Sequence, residues 1–114
     1  MAERVPLSVT VEKSASATVV TPSGEISYHE APTFRTFIKQ AYDQQPALVV
    51  IDMSQVPYMS TPGVATLVEA LQMSRRGSTG LVLCGLNDKV ADILRISKLE
   101  KLFKIVPTRQ AALG

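Results

Sequence analysis

Residues 47–64, ALVVIDMSQVPYMSTPGV, decide the fold. The opening run from Ala47 to Ile51 is apolar without interruption, the pattern of a parallel strand covered on both faces, and it belongs at the centre of a sheet. After a connecting loop, Thr61 stands where a helix N-cap is expected. Pro62 then takes the first helical position, where its missing N–H costs nothing, and Gly63 leaves the backbone open to close approach by another molecule. Val64, Leu67, Val68 and Leu71 recur on one face of the helix that follows. Arg75 and Arg76 suit the negative end of its dipole, and Gly77 is the expected left-handed terminator.

The same alternation of strand and helix extends in both directions. Upstream, Phe34, Phe37, Ile38, Ala41 and Tyr42 mark one face of a helix that begins near Pro32 and must stop near Gln45, because Pro46 cannot continue it. Residues 7–12 alternate apolar and polar as an outer strand does, residues 13–16 turn, and residues 17–22 form its β-branched hairpin partner before a bend at Gly24. Downstream, residues 81–84 repeat the buried-strand pattern, and Asn87-Asp88 caps a third helix carrying Val90, Ile93 and Leu94. Leu99, Leu102 and Phe103 add core contacts, Ile105-Val106 reads as a last short strand, and Thr108 caps a final helical turn through Leu113. The expected architecture is one α/β domain over residues 1–114, with a mixed sheet of four or five strands and helices packed mainly on one face.

Composition narrows the function. Twelve Lys and Arg are scattered among ten acids for a net charge of +2, so the basic stripe of a nucleic-acid binder is missing. Met1 to Pro6 lacks the apolar stretch of a signal peptide, and no apolar run approaches the ~20 residues of a membrane span, so a cytoplasmic protein without direct membrane insertion is expected. The single cysteine, Cys84, lies inside an apolar strand and is read as a buried structural thiol. There is no Gly-rich phosphate loop with its lysine, no metal-ligand cluster, no nucleophile elbow and no pair of catalytic acids. Neither catalysis, a metal nor a cofactor is expected.

What remains is a hydroxyl at the positive end of a helix. The unpaired N–H groups of a first helical turn favour an anion, so phosphate on Thr61 would be tolerated by this chain yet repelled by an acidic partner. The plain alternative is that Thr61 only caps the helix, worth ~1 kcal/mol. Spacing alone leaves both open.

Asp52-Met53-Ser54, the link from Val56 to Met59, and Ser60-Thr61-Pro62-Gly63-Val64 resemble the segment of anti-sigma factor antagonists, the STAS-domain family, that reads Asp-Leu-Ser and then Asp-Ser-Ser/Thr-Gly-Leu before a helix. Gly24-Glu25-Ile26 is similar to that family's first bend, and the stretch from Leu81 to Phe103 to its second half. The resemblance implies a binding switch whose partner is an anti-sigma factor of the kinase-like ATPase type. That partner would phosphorylate Thr61, with Ser60 as the alternative acceptor, and so be released. It also implies a surface made of Ser27, Tyr28, His29, Tyr58, Met59, Ser60, Pro62, Gly63 and Val64. Ser27 and Ser60 stand where the family carries acids. Those replacements favour a second reading, a STAS subunit that is not phosphorylated and serves a signalling scaffold or a membrane transporter complex.

Single residues around this segment have plainer readings beside the functional ones. His29, the only histidine, has no identifiable base partner or ligand set and reads as a solvent-facing or capping residue. Asp52 is expected to accept backbone hydrogen bonds from the turn that follows it. Tyr58 and Met59 either offer an adaptable contact to another protein or plug the sheet edge.

Overall fold

The computed structural model describes residues 6–114. The reading of Met1 to Pro6 therefore falls, but for Pro6, outside the described residues. The elements follow in the order β1 (Ser8–Lys13), β2 (Thr18–Ser23), α1 (Ala31–Asp43), β3 (Leu48–Asp52), α2 (Thr61–Gly77), β4 (Gly80–Cys84), α3 (Asp88–Ile96), a short 3-10 turn (Glu100–Leu102), β5 (Lys104–Val106) and α4 (Arg109–Leu113). The sheet has five strands in the order β1-β2-β3-β4-β5. The first pair is antiparallel and the rest are parallel, as a hairpin followed by strand-helix-strand units requires.

Strand alternation sends two different sets of side chains to the two faces of the sheet. On one face Val20, Val49, Ile51 and Leu83 meet Phe34 and Ile38 of α1, Leu67 of α2, and Val90 and Leu94 of α3. Each of these large side chains contributes ~1.5–3 kcal/mol when fully buried, so this layer dominates stability. On the other face Val19, Val50 and Cys84 form a smaller cluster against which Val106 and Ala112 pack. Three helices thus cover one face, and the five-residue α4 covers the other.

Two helix boundaries differ from the sequence reading by one residue. The N-cap of α2 is Ser60, whose backbone is extended (φ −92°, ψ 177°), so Thr61 opens the helix and Pro62 is its second residue. Proline fits either place, because neither N–H has a partner within the helix. At the far end the left-handed residue is Ser78 (φ 56°), with Gly77 still helical. The caps of the later helices are as expected: Asn87 accepts a bond from the Val90 amide at 2.9 Å, and Thr108 accepts one from Ala111 at 3.1 Å.

Candidate functional site

The parallel strands end together on the side of the sheet where open α/β folds bind their partners, and two loops are fastened to each other there. The Gly24 amide donates to the Gln55 carbonyl at 3.0 Å, Ile26 to Tyr58 at 3.0 Å, and Ser60 back to Ile26 at 2.9 Å. This ladder turns Ile26 and Met59 inward as a parallel bridge, and both side chains are 0% exposed. Met59 is therefore a plug in the sheet edge and offers no side-chain contact to a partner.

Two further expected contacts are also withdrawn by packing. A Cβ placed on Gly63 would lie 3.0 Å from both the Ile26 carbonyl oxygen and its Cγ2, and 3.2 Å from the Met59 Cβ. Gly63 is thus small to admit the neighbouring loop, not a second molecule. Val64 faces the core from the first turn of α2.

The remaining residues share the surface. Tyr28 is 74% exposed and stands edge-on to His29, with ring centroids 5.5 Å apart. Tyr58 is 42% exposed on the facing loop. Ser27 is half-buried, and its amide and hydroxyl both donate to the Glu30 carboxylate, which bends the chain into α1. Ser60 is half-buried as well, and its hydroxyl donates to the Ile26 carbonyl at 3.4 Å. Thr61 is exposed, and its hydroxyl takes part in none of the side-chain hydrogen bonds of the described residues. Since no side chain caps α2, the positive end of its dipole opens beside that hydroxyl. A groove of about 610 Å³ runs alongside, between α1 and α2, lined by Tyr28, His29, Pro62 and Thr66 and including the Arg35–Glu69 ion pair at 2.5 Å.

Behind the loop lies a polar assembly of which the sequence showed one member. Asp52, at the end of β3, accepts the Ser54 amide at 3.0 Å as expected, and it also accepts Arg109 Nε of α4 at 3.0 Å. The same guanidinium donates to Glu12 Oε1 at 3.0 Å and to Thr21 Oγ1 at 2.7 Å. Burial pushes the Asp52 carboxyl up, but the bonds from Ser54 and the Arg109 guanidinium outweigh it and hold the group below its ordinary range. Burial and the Asp52 charge push the Cys84 thiol up to about 11, which keeps it protonated at neutral pH. Asn87, read only as a cap, also donates to the carbonyls of Val56 and Pro57 at 3.2 and 3.0 Å and so ties the same loop to α3.

A pH dependence follows from Asp52. A carboxyl whose folded value is depressed stabilises the fold above its ordinary value of ~3.9, and that contribution disappears as pH falls through the folded value. The urea midpoint of the unaltered chain should therefore drop more steeply than that of Asp52→Asn as pH falls below about 5. Parallel titrations in which both proteins lose stability at the same rate would contradict this.

The pattern of the STAS domain family matches this chain over residues 8–112. The chain belongs to the STAS domain family. Over 83 residues, 73% of each protein, this STAS domain is 28% identical to an anti-sigma-B factor antagonist of Listeria monocytogenes. It superposes with a TM-score of 0.88 on an anti-sigma factor antagonist from Mycobacterium paratuberculosis, at 26% identity and covering 97% and 96% of the two chains. The Bacillus protein SpoIIAA in its unphosphorylated form matches with a TM-score of 0.78 at 17% identity over 93% of each chain, a likeness of fold. No helix among the described residues of this STAS domain is long and apolar enough to cross a membrane.

Proposed function

We propose that this STAS domain is an anti-sigma factor antagonist that acts in the cytoplasm, binds a kinase-like anti-sigma factor and is released when Thr61 is phosphorylated. One observation carries the switch: an exposed Thr61 hydroxyl without a hydrogen-bond partner among the described residues, at the uncapped start of α2 beside the groove at Tyr28 and His29. The functions named for the Listeria and Mycobacterium proteins support the class of partner. The binding surface consists of Ser27, Tyr28, His29, Tyr58, Ser60, Thr61 and Pro62. A phosphate carries ≈ −1.5 to −2 charge, which the α2 dipole stabilises and a facing carboxylate on the partner repels, so release needs no refolding.

Incubation with the cognate anti-sigma factor and ATP, followed by mass spectrometry, tests the switch. Phosphate on Thr61 together with loss of the complex is the expected result. A complex that persists with Thr61 unmodified would leave a non-switching subunit in its place. Thr61→Ala should bind normally, accept no phosphate, and change stability by no more than ~0.5 kcal/mol, because the hydroxyl is exposed and caps nothing.

A further inference from the structure

We infer that Arg109 is a positioning residue for the surface proposed above: from the far face of the sheet it holds Asp52, and through Asp52 it sets the loop that presents Tyr58 and Thr61. The inference rests on reading that loop as the partner's contact.

The mechanical path is short. Arg109 opens α4, and its Nε binds one oxygen of the Asp52 carboxylate while the Ser54 amide binds the other. Asp52 is the last residue of β3, so its carboxylate joins α4 to the first turn of the loop, where the Val56 amide closes onto the Met53 carbonyl at 3.0 Å. The carboxylate is only 9% exposed. Its charge needs both donors, because a buried carboxylate that loses one of them seeks water and moves to reach it. Glu12 and Thr21 hold the other two nitrogens of the guanidinium, which restricts its freedom to follow Asp52. The fork is thereby fixed to β1 and β2 while it grips β3. A lysine could not make three such contacts with one ammonium at the same reach.

The loop is also held by Asn87 and by the Gly24–Ile26 ladder, but both of these lie beside the partner surface. Among the described residues, the Arg109 bond to Asp52 joins the root of the loop to α4. Whatever disturbs the docking of α4 is thus transmitted to the proposed switch without any contact between the two.

Amide hydrogen exchange on the full chain tests this without a partner. In Arg109→Ala the amides of Ser54, Val56 and Ser60 should exchange about tenfold faster or more, while those of Val50 and Leu83 in β3 and β4 keep their rates. Asp52→Asn should do the same, and the double variant should add little beyond Asp52→Asn alone, because both changes break one path. Arg109→Lys should fall in between. A uniform rise across loop and strands would show a merely structural role and overturn the inference, as would unchanged loop amides or additive effects in the double variant. The second readout is the rate of phosphate transfer to Thr61, expected to fall in Arg109→Ala. If the unaltered chain accepts no phosphate, the proposed function fails, and the exchange result still decides the role of Arg109.

Discussion

Gly85→Ala should destabilise the domain by about 2–5 kcal/mol, the sum of a left-handed backbone forced on a residue with a Cβ, ~1–2 kcal/mol, and overpacking, ~1–3 kcal/mol. Gly85 has φ +71°, and a Cβ there would lie 2.9 Å from the Ser54 Cβ, 3.0 Å from its amide nitrogen and 3.2 Å from Asp52 Oδ1. None of these atoms is the free end of a flexible chain. They form the turn that receives the Ser54-to-Asp52 bond, so relief of the clash would break that bond and loosen the loop at its root. Urea unfolding measures the effect, with Gly77→Ala as the contrast. Gly77 is helical, and the nearest atom to its added Cβ is Thr79 Oγ1 at 3.6 Å, so alanine there should be neutral or stabilising by up to ~1 kcal/mol. A loss below about 0.5 kcal/mol for Gly85→Ala would mean that the turn relaxes freely and that its tight packing is unimportant.

Thr61→Glu should weaken the complex with the anti-sigma factor by about 100-fold, equivalent to ~2.7 kcal/mol, since like charges brought together at an interface cost several kcal/mol. The same substitution should leave the free domain as stable as before or raise its stability by ~0.3–1 kcal/mol, because a carboxylate in the first turn of α2 complements the helix dipole. Opposite signs for binding and stability separate a charge effect from misfolding. Calorimetric titration against the partner and thermal unfolding of the free chain supply the two measurements. Thr61→Glu binding as tightly as Thr61→Ala would refute the electrostatic release mechanism. The full phosphate, with nearly twice the charge of a glutamate, should act more strongly.

The strands and helices were legible because their burial is written in local periods. The run from Ala47 to Ile51 became the central β3, and the spacing of Phe34, Ile38 and Ala41 became the buried face of α1. Asn87 and Thr108 were legible as caps because a cap bonds within its own first turn. The candidate site was less so. Local sequence offers Met59 and Gly63 to a partner, yet Ile26, more than thirty residues away in sequence, occupies the space beside both. No local pattern announces such a pairing between loops. Nor does any spacing connect Arg109 to Asp52, 57 residues apart, since the register of five strands and the docking of α4 together create that contact. Reading Thr61 as the cap missed by one position, because proline suits the first and second helical residues alike.

The covering of the second sheet face by a helix of five residues has a chemical consequence for the chain's one sulfhydryl. So short a helix has almost no stability of its own and stays folded only while docked. Cys84 lies in the cluster against which Leu48, Val106 and Ala112 pack, so peroxide or an alkylating reagent reaches the sulfur only when that packing opens. Undocking of α4 therefore lowers the resistance of this sulfur to oxidation, which its protonated state otherwise supports.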